Sequence, residues 1–96
     1  MKTTSKDLHD RFVQMKNDAI SAIVEQLGDR NSVNICININ NGEKFAEKIY
    51  REDGRVFVDV NEPDLYDRDN IVLNRYIIGR LSFFELVALL DGLESA

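Results

Sequence analysis

The sequence predicts one α+β domain over residues 1–96: a helix, an antiparallel meander of three to four strands, then a second helix, with both helices on one sheet face. Three observations predict it. Apolar residues recur at three- and four-residue steps at the start of the chain and again at its end, the spacing that gathers side chains on one face of a helix. Between those stretches, "SVNICINI", "EKFAEKIYR" and "RVFVDV" are joined by "NNG" and "DG", connections so short that the strands must run antiparallel. No linker, repeat or low-complexity run divides the 96 residues, a length suited to one core.

The first helix has Thr4 or Ser5 as its candidate cap, with Asp7 near the positive end of the helix dipole. Leu8, Phe12, Met15, Ala19, Ala22 and Ile23 form its main stripe, and Val13, Ile20, Val24 and Leu27 a second row beside it. So wide an apolar arc predicts two contacts. Gly28 should close the helix after Leu27, and "GDRNS" follows as a turn.

Strand register follows from asking which pairing keeps apolar residues on one face, because a one-residue slip turns a strand inside out. A two-residue turn at Asn41 and Gly42 would set Ile37 opposite Ala46 and waste Phe45 and Ile49. A three-residue loop of Asn40, Asn41 and Gly42 instead sets Ile37 opposite Phe45 and Val33 opposite Ile49, and is preferred. The turn at Asp53 and Gly54 then aligns Ile49 with Val58 and Tyr50 with Phe57. The core face thus predicted holds Val33, Ile35, Ile37, Ile39, Phe45, Ile49, Val56, Val58 and Val60. Opposite lie Asn34, Cys36, Asn38, Ala46, Lys48, Tyr50, Phe57 and Asp59.

"IVLNRYII", residues 71–78, suits a fourth strand by its branched and aromatic content, with a helix as the competing assignment. The last helix has Ser82 as cap, Glu85 to complete a capping box, Leu81 placed to staple against Leu86, and Gly92 as its expected close. Phe83, Leu86, Val87, Leu89, Leu90 and Leu93 make its stripe, which Phe84 widens. The two broad stripes suit helices lying side by side on the sheet. A sharper alternative takes Phe84 and Leu89 to a second subunit, making a homodimer.

The formal net charge of −5 argues against binding through nucleic-acid phosphates, which needs clustered Lys and Arg. "GRVFVDV" partly resembles the inner strand motif of RNA-recognition domains at Gly54, Phe57 and Val58, without its other aromatic positions. His9 has no nearby Cys or second His, and Cys36 has no His or helix start to lower its pKa. Asp64, Asp67 and Asp69 lack the Gly and Glu spacing of a calcium loop. Glu47 falls on the predicted core face, where burial would raise its pKa as in some catalytic acids; a bulge, a wet periphery or a shifted register would remove that oddity.

No catalytic residue, metal or cofactor is assigned, and an enzyme is not expected. The single Cys36, the lack of an apolar run of about 20 residues and a polar start, "MKTTSKDLHDRF", predict a cytoplasmic setting without membrane. The expected function is a small protein-interaction or adaptor domain that binds through the open sheet face, at Asn34, Cys36, Asn38, Lys48, Tyr50 and Phe57. The alternative is an acidic decoy whose loop from Asp59 to Asp69, with five acids and one Arg, occupies a basic groove on a nucleic-acid-handling protein.

Overall fold

Thr4 starts the first helix with reciprocal hydrogen bonds: its hydroxyl accepts from the Asp7 N–H, and the Asp7 carboxylate accepts from the Thr4 N–H. In this computed structural model, which describes residues 2–95, α1 runs over Ser5–Leu27. Then follow β1 (Ser32–Asn40), β2 (Lys44–Glu52), β3 (Arg55–Pro63), β4 (Ile71–Ile77), a short 3₁₀ turn (Ile78–Arg80) and α2 (Phe83–Glu94). The strands form one antiparallel sheet in the order β1-β2-β3-β4, and the segment left between strand and helix by sequence alone is a strand. The Ser82 and Glu85 capping box starts α2 as expected.

α2 lies on β1 and α1 packs on α2. Ile23, Leu27, Ile49, Val58, Val60, Leu86 and Leu89 meet in the core at 2% exposure or less. Each such side chain supplies roughly 1.5–3 kcal/mol on burial. Leu89 is therefore unavailable to a second subunit, whereas Phe84 stands 83% exposed.

α1 reaches past its partners. Only Ala19, Ile23 and Leu27 are buried on it, while Leu8, Phe12 and Met15 remain open. The radius of gyration of 14.8 Å accordingly exceeds the value of about 12.5 Å for a compact chain of this length. Two contacts steady the overhang: the Phe12 ring meets Phe83 edge-on at 6.2 Å, and Lys16 Nζ donates to the Gly79 carbonyl at 2.8 Å. At the other end, Arg30 donates to the Leu27 and Gln26 carbonyls and Arg51 to that of Gly28, supplying donors that a helix C-terminus lacks.

The register keeps three of the four expected pairings. Val33 pairs with Ile49, Ile49 with Val58 and Tyr50 with Phe57, as the turn chemistry demands. Asp53 and Gly54 both have positive φ, the conformation of a two-residue hairpin turn that matches strand twist. Nearer the first hairpin, Ile37 pairs with Ala46 rather than Phe45. Two irregularities produce this: β1 bulges between Asn34 and Ile37, and β2 bulges against β3 between Ala46 and Lys48. The extra residue in β2 reverses its facing. Ala46 becomes fully buried, and Phe45 joins Asn38 and Asn61 in a row on the opposite face. Glu47 lies in that bulge, half-buried, rather than on the core face. The hairpin loop does have three residues, but they are Asn41, Gly42 and Glu43.

Gly92 corrects another expectation. It does not end α2, which continues to Glu94; it lets the helix approach β1, since a Cβ there would lie 2.6–2.8 Å from three side-chain atoms of Ile37. Gly92→Ala should destabilise the fold by about 1–3 kcal/mol, because overpacking outweighs the gain of roughly 1 kcal/mol in helix propensity. In an Ile37→Ala background the same substitution should become neutral or stabilising, a reversal that urea denaturation of the four-member cycle would detect.

Candidate functional site

The face of the sheet away from the helices carries three cross-strand rows. Ser32, Tyr50, Phe57 and Ile77 form the first; Asn34, Lys48, Asp59 and Arg75 the second; Asn38, Phe45, Asn61 and Leu73 the third. Strand alternation alone places these side chains together.

Tyr50 and Phe57 stack at 5.8 Å between centroids with 27° between their planes. The Arg75 guanidinium sits 3.7 Å from the Phe57 centroid and 5.6 Å from that of Tyr50, while Lys48 Nζ stands 5.1 Å from the Tyr50 ring. Cations over ring faces are drawn by the ring quadrupole. The Tyr50 hydroxyl donates to Asp59 at 3.0 Å, and Arg75 donates to Glu52 at 2.6 Å. Burial first, and then the hydrogen bond to the Asp59 carboxylate, push the Tyr50 hydroxyl above its ordinary pKa. The result is a pre-ordered platform of two rings and two cations; farther along β4, Leu73 and Ile71 face the same side, each 59% exposed.

Of the six residues expected to bind a partner, Lys48, Tyr50 and Phe57 come together in this cluster. Asn34 and Cys36 are exposed on β1, the outer strand. Asn38 is exposed too, but its Oδ1 accepts from the Asn40 and Gly42 N–H groups at 3.1 and 2.9 Å, so its amide holds the hairpin. Arg75, Phe45 and Leu73 escaped sequence reasoning. Arg75 and Leu73 become visible once β4 is set against β3, where Arg75 pairs with the opposite charge of Asp59. No such signal exists for Phe45, because its facing depends on the bulge.

A second feature lies on the helix-bearing side, beyond the start of α2, where no helix covers the sheet. A cavity of about 580 Å³ is lined by Lys44, Glu62, Arg68, Val72, Asn74 and Tyr76 among others. Glu62 is 9% exposed, and the Tyr76 hydroxyl reaches its two carboxylate oxygens at 2.6 and 2.9 Å. The other charged groups are also engaged: Lys44 with Glu85 at 3.4 Å, Arg68 with Glu43 at 3.2 Å, and Asp64 accepting the Tyr66 N–H. Among the described residues, no three His, Cys, Asp or Glu side chains gather as a metal site. His9 is exposed. Asp67 in the acidic loop accepts the Asp69 N–H at 3.3 Å.

No family model matches the chain, and neither does any curated protein or solved structure.

Desolvation and then the hydrogen bond to Glu62 push the Tyr76 hydroxyl up to about 12. Its folded pKa lies above the unfolded value, so its contribution to stability is complete below about pH 10 and is lost as pH rises through about 12. Ultraviolet titration should therefore find one tyrosine ionising near pH 12, and Glu62→Gln should move that step down toward 10.

Proposed function

We propose that this domain is a non-catalytic protein-interaction module whose partner docks on the open sheet face, over Tyr50, Phe57 and Arg75. The observation that carries the proposal is the ring–guanidinium stack spanning β2, β3 and β4 near the β2–β3 turn, on the sheet face away from the helices. Tyr and Arg are enriched among the residues that dominate binding energy, and stacked rings held by cations lose little further freedom when a partner arrives. Farther along β4, Leu73 and Ile71 add exposed apolar area on the same face, and Lys48, Asp59, Arg75 and Glu52 supply both signs of charge around the stack. That mixture suits a folded protein surface better than a phosphate backbone.

The acidic-loop reading draws less support. Asp64 and Asp67 accept backbone N–H groups within the loop, and Arg68 ties the loop to Glu43 of the first hairpin. What remains is the loop's net negative charge and the exposed Leu65 and Tyr66.

Capture from native cells on immobilised wild-type chain, on a Tyr50→Ser/Phe57→Ser double variant and on an Asp64→Asn/Asp67→Asn/Asp69→Asn triple variant separates the two. A hot-spot side chain is worth about 2 kcal/mol or more, so the double variant should hold the captured protein on the order of 30-fold more weakly while the triple variant holds it unchanged. Circular dichroism establishes that each variant is folded. Undiminished capture by a folded double variant would refute the sheet-face proposal, and loss in the triple variant with steep salt dependence would favour the decoy.

A further inference from the structure

We propose that β4 pairs antiparallel with β4 of a second copy of this chain about a two-fold axis at Asn74, joining two four-stranded sheets into one of eight strands. This rests on the outer edge of β4, and its test reads self-association of the purified chain, which needs no partner on the open face.

The phase of the β3–β4 ladder fixes which backbone groups are free. The Asp64 N–H donates to the Asn70 carbonyl at 2.8 Å, one step beyond the Pro63–Ile71 pair. Antiparallel pairs alternate between bonded and non-bonded, so Val72, Asn74 and Tyr76 bond to β3, whereas Ile71, Leu73, Arg75 and Ile77 direct their N–H and C=O groups outward. Among the described residues no strand or side chain meets those outward groups, although the Ile77 carbonyl is taken by the first bond of the 3₁₀ turn.

Natural sheets protect such edges with bulges, prolines, lysines or a covering element. β1, the other outer strand, has two register shifts and α2 packed on it. β4 has none of these: its seven pairs run without a shift, it contains no Pro, Gly or Lys, and its one charge, Arg75, is drawn back over Phe57 and onto Glu52. Ile71 and Leu73 stay open beside it.

A second copy is the occupant because the strand is complementary to itself. With the two-fold at Asn74, Ile71 faces the partner's Ile77, Val72 the partner's Tyr76, and Leu73 the partner's Arg75. No like charges meet. Moving the axis to Arg75 sets two guanidinium groups against each other, and moving it to Leu73 leaves Tyr76 and Ile77 unpaired. A slip by one residue would pair side chains of opposite faces. Space is available as well: depressions of about 580 and 400 Å³ border the strand, one beside Val72, Asn74 and Tyr76 and the other beside Arg75, Ile77 and Arg80. α2 sits over β1, away from the axis. An interface this small belongs to the weak, reversible class, below about 1,200 Å² in total, so the dimer should dissociate on dilution.

Sedimentation velocity of the full chain over a concentration series tests this with opposite charges at one position. Leu73→Lys sets a cation against the partner's Arg75 twice and should weaken association at least ten-fold; Leu73→Glu sets an anion there and should preserve or tighten it. The exposed Leu73 side chain leaves the monomer fold to stand in both, which thermal melting checks. A pair at the two-fold is non-bonded, with Cα atoms about 4.5 Å apart, within disulfide range. Asn74→Cys in a Cys36→Ser background should therefore cross-link two chains under mild oxidation, whereas Asp67→Cys in the same background should not. A wild-type chain that stays monomeric into the hundreds of micromolar, equal responses to Lys and Glu at position 73, or absence of the Asn74→Cys cross-link would each overturn the proposal.

Discussion

The close approach of α2 to β1, made possible where Gly92 faces Ile37, is the contact on which the rest of the arrangement depends. Two helices must serve four strands. α2 settles over β1 and α1 packs against α2, its Ala19, Ile23 and Leu27 joining Ile49, Val58 and Val60 in one core, while Val72 and Asn74 of β4 stay outside that core. The far end of the helix-bearing face is left as the cavity beside Glu62 and Tyr76, and the outer edge of β4 is left without a neighbour. A Cβ at position 92 would disturb the contact that sets this asymmetry.

β3 is tied to its two neighbours by the same device on opposite faces. Asp59 receives the Tyr50 hydroxyl from β2 on the open face, and Glu62 receives the Tyr76 hydroxyl from β4 on the other. In each case an aromatic ring from the adjacent strand shields a carboxylate that its hydroxyl satisfies, which makes a partly buried charge tolerable. On the helix-bearing face, Glu85 shows the related balance at a helix start: burial acts to raise its pKa, but the Ser82 backbone N–H and hydroxyl, together with Lys44, bring it below the ordinary carboxylate value. The charges near the bare parts of the sheet are thus mostly engaged with one another, and the groups left over are apolar side chains and the backbone of β4.

Those parts of the fold that follow local rules could be read from the chain. Thr4, Asp7 and Gly28 bound α1 because capping chemistry is short-range, and Asp53 and Gly54 set the β2–β3 register because a two-residue turn admits few conformations. The bulge at Glu47 could not be read the same way. Ala46 and Ile49 are both fully buried yet three residues apart, a spacing that violates strand alternation and follows from how β2 fits between two neighbours. Gly92 misled for a related reason, since a glycine near a helix end signals a cap locally but a close approach only when the facing strand is known. On the candidate surface, Tyr50 opposite Phe57 came from a turn, whereas Arg75 over both needed the position of a strand that sequence left undecided. Long-range register carries that information, and a single chain encodes it only through the sum of its packing.

Backbone amide hydrogen exchange, followed by NMR on a dilute sample, tests most directly whether helix cover stops short of β4 and leaves its edge bare. The account predicts alternation along one strand: amides of Leu73, Arg75 and Ile77 exchanging quickly, and those of Val72, Asn74 and Tyr76 slowly. Uniform protection along β4 at high dilution would contradict it, because some element of the same chain would then have to cover that edge.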